Sequence, residues 1–216
     1  MYRSLENEPC SSPPFNTDNV QRYGQAMKFF VISDTHGDIE TAIEVFGTLS
    51  GIDRILHLGD YARDGWLLES RLSTPVTALK GNMDGSYSNE DYQILNTEFG
   101  KIYLSHGHME AAKYGPENLL YKASSLGCKA TMYGHTHIPE YKDLGGMYLL
   151  NPGSLTHPRG GRQGSYAIVT TSPESFQATI FYWDTEARKE RPRGAEDKKG
   201  ISSGFLRRIF NDSDGQ

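Results

Sequence analysis

The chain has 216 residues, of which 37% are hydrophobic, and a net charge of −5 at pH 7. That length suits one domain with a substantial buried core and room for tails. The mildly acidic balance excludes a broad basic surface for nucleic acid or anionic lipid, and no apolar run is long enough to span a membrane. Cys10 and Cys128 lie too far apart in sequence to make a disulfide framework. The opening Met1-Tyr2-Arg3-Ser4-Leu5-Glu6 lacks the apolar core of a secretory signal. A reducing cytoplasm is therefore the expected compartment.

Residues 1–26 are rich in Pro, Ser, Asn and Asp without periodicity, which predicts a flexible N-terminal extension. A buried strand over 27–33 follows, then a helix over 38–49 with Ile39, Ala42, Ile43 and Phe46 on its apolar face and Asp38 as N-cap. Next come a strand around Ile55, a short helix near 65–71 and a strand around Val76. This β-α-β-α-β alternation predicts a parallel sheet with right-handed crossovers. Segments 92–99 and 101–105, joined at Gly100, read as a hairpin. Pro116 opens a helix through Leu126 with Gly127 as its stop. A strand over 129–133 follows. The short strands 147–150, 165–171 and 176–183 suggest a second, mostly antiparallel sheet stacked on the first. The domain is expected to span 27–185, and the charged stretch 186–216 to be disordered.

The apolar segments share one habit. Phe29-Phe30-Val31-Ile32-Ser33 ends at Asp34-Thr35-His36-Gly37. Ile55-Leu56-His57-Leu58 ends at Gly59-Asp60, and Val76 to Lys80 ends at Gly81-Asn82. Ile102-Tyr103-Leu104-Ser105 ends at His106-Gly107-His108, and Ala130-Thr131-Met132-Tyr133 ends at Gly134-His135-Thr136-His137. Ligands gather at the carboxyl ends of strands in open α/β sheets. Any one of these pairs alone is mostly turn or capping chemistry. Five together point to a metal site.

The candidate ligands are Asp34, His36, Asp60, Asn82, His106, His135 and His137. Carboxylate, amide and imidazole donors suit Mn, Ni, Zn or Fe, and the lack of cysteine disfavours a structural zinc. Seven donors are too many for one ion and suit two ions sharing a bridging group. His106 and His108 compete for one ligand place. His106 comes directly off the strand, which leaves His108 near substrate. His57, inside a strand, reads as a satisfied structural histidine. Arg159 is as readily a solvated arginine as a phosphate clamp.

These motifs, in this order and spacing, resemble the calcineurin-like metallophosphoesterase superfamily. They are most similar to its small bacterial and archaeal phosphodiesterases, a group related to a retromer subunit. The resemblance covers about 27–183 and implies two stacked mixed β-sheets flanked by helices, a four-layer α/β/β/α sandwich. It implies that Asp34, His36, Asp60 and His137 hold one ion, and that Asp60, Asn82, His106 and His135 hold a second, with Asp60 bridging. Asn151-Pro152-Gly153-Ser154 matches a further signature of the family, a turn beside the pocket.

One departure from many phosphomonoesterases of the family is Met83, which stands where they carry a histidine after Gly-Asn. Methionine cannot protonate a leaving group. The expected function is a phosphodiesterase with two divalent ions, Mn2+ first, in which a metal-bridging hydroxide attacks phosphorus in line. His108, Asp60 and Asn82 are the expected participants in catalysis. The alternatives are a phosphomonoesterase on nucleotide or phosphoprotein, and a non-catalytic protein-binding scaffold. The expected partner is a small phosphodiester, and a homo-oligomer is open.

Overall fold

The computed structural model describes residues 26–85, 90–161 and 163–184. The expected N-terminal extension, apart from Ala26, and the expected C-terminal tail lie outside these residues. Ten strands and three helices follow in order: β1 (Met27–Ile32), α1 (Ile39–Gly47), β2 (Arg54–His57), α2 (Ala62–Leu72), β3 (Val76–Ala78), β4 (Tyr92–Thr97), β5 (Gly100–Ser105), α3 (Glu117–Ser125), β6 (Ala130–Met132), β7 (Glu140–Asp143), β8 (Tyr148–Asn151), β9 (Gly164–Ser172) and β10 (Ser175–Trp183).

The strands form two sheets of five, ordered β10-β9-β1-β2-β3 and β4-β5-β6-β8-β7. In the first, β1, β2 and β3 run parallel, β9 pairs antiparallel with β1, and β10 pairs antiparallel with β9. In the second, β5, β6 and β8 run parallel between antiparallel β4 and β7. The expected mostly antiparallel second sheet is therefore corrected. The final three predicted strands do not stay together: 147–150 joins the second sheet as β8, and the other two complete the first as β9 and β10. Long-range pairing decides this, because Phe29 of β1 lies opposite Val169 of β9.

Side-chain alternation along β1 explains the layers. Phe29 and Val31 enter a core between the sheets with Leu56, Ile102, Leu104, Met132 and Val169. Phe30 and Ile32 face the other way, onto Ile39, Ala42 and Val45 of α1 and Leu68 of α2. On the far face of the second sheet, Tyr103 and Leu149 pack against Leu119 and Ala123 of α3. Three apolar layers thus separate four layers of secondary structure. Asp38 caps α1 as expected, accepting a 3.3 Å hydrogen bond from Thr41 N–H. No helix among the described residues is long and apolar enough to cross a membrane.

Candidate metal centre

The parallel strands of both sheets deliver the candidate ligands to one edge. Asp34 and His36 follow β1, Asp60 follows β2, Asn82 follows β3, His106 leaves β5 directly, and His135 and His137 follow β6. Pairing continues a little past the strands: Asp34 N–H donates to Gly59 O at 3.0 Å, and Gly134 N–H to His106 O at 3.1 Å. The backbone then turns sharply. Asp34, His36, Asp60, His135 and His137 all hold positive φ, between 48° and 67°. Left-handed backbone costs of order 1–3 kcal/mol per non-glycine residue and concentrates at functional sites. Asp and His tolerate it better than bulky residues do.

Asp34, His36, Asp60 and His137 each contribute a donor atom, and these four atoms lie within 4.8 Å of one another. His137 Nε2 is 3.2 Å from Asp34 Oδ1, and His36 Nε2 is 3.4 Å from His137 Nε2. His106 continues the cluster on the other side, with Nε2 3.3 Å from Asp60 Oδ1 and 3.2 Å from Asn82 Oδ1. The His135 ring lies 5.0 Å from the His106 ring. His108 is on this same side, its ring 5.4 Å from His106 and 6.1 Å from His135. The structure therefore places the seven candidate ligands and His108 in one cluster.

Hydrogen bonds behind the cluster orient its imidazoles. His106 Nδ1–H donates to Leu58 O at 2.8 Å, and His137 Nδ1–H donates to His157 O at 2.6 Å. In the neutral rings this leaves both Nε2 lone pairs aimed at the acids, the arrangement a metal ligand needs. Asp34 is fully buried, and its Oδ1 has no hydrogen-bond partner among the described residues. A buried carboxylate oxygen without a donor is costly, and a divalent cation would satisfy it. The donor set thus fits divalent metal.

Electrostatics agree. Burial opposes the charged form of Asp34, but the His137 and His106 rings outweigh it and hold the carboxyl below its ordinary range. Burial also opposes charge on His137, yet the Asp34 carboxylate raises that imidazole. Burial, reinforced by His106, pulls His135 down to about 4, so it stands neutral near pH 7. A bound cation would lower all of these further by its own charge.

Close packing explains two of the glycines. A Cβ on Gly59 would come within 2.6 Å of His106 Nδ1, and one on Gly81 would strike the backbone N and Oδ1 of Asp60. Each strand end needs a neighbour with no side chain so that the next ligand can enter.

Several supporting residues escaped the sequence reading. Thr35 Oγ1–H donates to buried Asp64 at 2.6 Å, and Gly37 N–H donates to the same Asp64 Oδ2 at 2.8 Å. Asp64 thereby fixes the loop that carries His36. Ser154 Oγ–H donates to Asp34 O at 2.8 Å, tying the Asn-Pro-Gly-Ser turn to the first ligand. Glu110 accepts from Tyr103 and Ser105, each at 2.7 Å, and anchors the loop beyond His108. The only sequence signal for any of these was the signature containing Ser154. His57 is half satisfied rather than satisfied: Nε2 lies 2.8 Å from Thr35 Oγ1, while Nδ1 is buried without a partner among the described residues. Arg159 is exposed.

Residues 27–174 match the model of the calcineurin-like phosphoesterase superfamily domain, and the chain belongs to that family. It is 33% identical over 162 residues to the probable metallophosphoesterase YsnB of Bacillus subtilis, covering 73% of this chain and 91% of that one. It is 29% identical to the phosphodiesterase YfcE of Escherichia coli K12 over 66% of this chain and 87% of that one. A crystal structure of a predicted phosphoesterase from Streptococcus pneumoniae TIGR4 superposes with a TM-score of 0.64 at 29% identity, covering 73% of this chain and 90% of that one.

Proposed function

We propose that this metallophosphoesterase is a phosphodiesterase that works with two divalent cations, Mn2+ foremost. The observation that carries the reading is the convergence of seven oxygen and nitrogen donors from five strand ends around one buried carboxylate. Asp34, His36, Asp60 and His137 would hold one ion. Asp60, Asn82, His106 and His135 would hold the other, with Asp60 between them. Two ions so held would supply a hydroxide nucleophile at neutral pH and would offset charge on the phosphoryl oxygens of an in-line displacement. Asn82 contributes a neutral donor, so the pair keeps the positive charge that attracts an anionic ester.

Met83 separates diester from monoester chemistry. It is exposed beside Asn82 and has no proton to donate. Two imidazoles near the cluster are left unused by the two ligand sets: His108, half-buried on the His106 side, and His157, whose ring lies 4.7 Å from that of His36. The similarity to YfcE, named a phosphodiesterase, supports the same class.

Asp60→Ala should abolish metal-dependent cleavage of bis(p-nitrophenyl) phosphate, and substantial retained turnover would defeat the reading. The wild-type rate should depend steeply on leaving-group pKa across a series of aryl methyl phosphates, because Met83 offers no proton to a leaving oxygen. Phosphomonoesters should be turned over more slowly than diesters.

A further inference from the structure

We infer that the mouth of the site selects a phosphodiester bearing an aromatic ring on the ester oxygen that is retained, and that Tyr61 and Met83 form the face on which this ring rests. The inference rests on the phosphodiesterase reading and adds the substrate's class to it. Four residues of the site are each followed directly by a large exposed apolar side chain: Asp60 by Tyr61 at 38% exposure, Asn82 by Met83 at 58%, His108 by Met109 at 67% and His137 by Ile138 at 48%. A polar floor with an apolar rim suits an anion that carries an apolar arm.

Two of these rim residues are fixed beside each other. Met83 N–H donates to Asp60 Oδ1 at 2.9 Å, and Ala62 N–H donates to Asp84 Oδ1 at 2.8 Å. Residues 60–62 and 83–84 are thereby clipped together, with Tyr61 on one segment and Met83 on the other. The Tyr61 ring stands edge-on to His36 at 5.4 Å and 65°. This places the Tyr61 ring and the Met83 backbone at the border of the metal cluster, with both side chains exposed. Aromatic rings and methionine sulfur are both favourable partners for a further ring.

Neither the backbone nor helix capping explains a tyrosine there. Its φ is 66°, a backbone conformation that glycine adopts freely and a bulky residue does not. It occupies the N-cap position of α2 but makes no side-chain capping bond. A residue that fits its backbone poorly and caps nothing is explained by what its ring offers at the surface.

The test compares two diesters with one leaving group, bis(p-nitrophenyl) phosphate and methyl p-nitrophenyl phosphate, on the full metal-loaded chain. In Tyr61→Gly the ratio of their kcat/KM values should fall about tenfold, mainly through a higher KM for the aryl ester. Its Tm should be equal or higher, because glycine relieves the backbone, and its metal affinity should be unchanged. Met83→Ser should lower the same ratio about threefold. Tyr121→Ser, on α3, should leave it unchanged. Equal losses on both esters, or weaker metal binding with the ratio preserved, would make Tyr61 a positioning group for His36 and overturn the inference. Turnover of both esters with a ratio untouched by Tyr61→Gly would overturn it while leaving the phosphodiesterase reading intact. Turnover of neither ester by the wild-type chain would take down both.

Discussion

Single residues decide how closely the ligands approach. Gly81 is the sharpest case, since even one methyl would meet both the backbone and the side chain of Asp60. Gly81→Ala should weaken metal binding roughly 10–100-fold, the range seen when groups supporting metal ligands are disturbed. Isothermal titration with Mn2+ would measure it, and unchanged affinity would show that Asp60 yields freely. His106 and His137 make a related point. Each spends one ring nitrogen on a backbone carbonyl, so ring orientation is inherited from the fold and not from the ion.

Elements carry these residues, and one strand end supports the rest. Asn151, the last residue of β8, is fully buried. Its Nδ2 donates to Gly134 O at 2.8 Å and to Thr136 Oγ1 at 3.0 Å, and its Oδ1 accepts from Gly153 N–H at 2.8 Å. Asn151→Ala removes all three bonds and leaves buried partners unpaired, which should cost about 1–3 kcal/mol. Urea unfolding would read the loss; a midpoint matching wild type would refute it. The strand ends were legible because each apolar run stops at a polar residue beside a glycine. Helix α2 was only partly legible. Gly65 looks like a helix boundary in sequence, but it lies inside the helix, where its missing side chain lets α2 pack on Ala78 of β3. Strand β7, Glu-Tyr-Lys-Asp, is polar and largely exposed and becomes a strand only by pairing with β8. No local pattern announces it. The pairing of β9 with β10 was readable as neighbouring strands, whereas their membership of the first sheet depends on contacts with β1 more than a hundred residues away.

At the scale of the whole molecule, the histidines couple stability to pH. Burial is the first cause that lowers His36, His57, His108 and His135 below the usual imidazole value of 6.5. The unfolded chain therefore binds more protons than the folded one as acid is added. Stability from these groups is complete above 6.5 and is lost as pH falls, for His135 down to about 4. The lowered Asp34 acts in the same direction, and the raised His137 acts against it. Chelator-treated protein should show a urea midpoint that drops as pH falls from 6.5 to 4.5. A flat profile would contradict the burial of these rings.

The centre draws on both sheets. Residues up to 82 contribute Asp34, His36, Asp60 and Asn82, and residues from 106 onward contribute the remaining imidazoles. Neither half of the polypeptide owns a full set of donors. A nascent chain that has reached only β1, β2 and β3 still lacks the histidines that close the cage. Cation uptake at such a centre would follow tertiary assembly, and bound metal would act as a rivet between two halves that were synthesised apart.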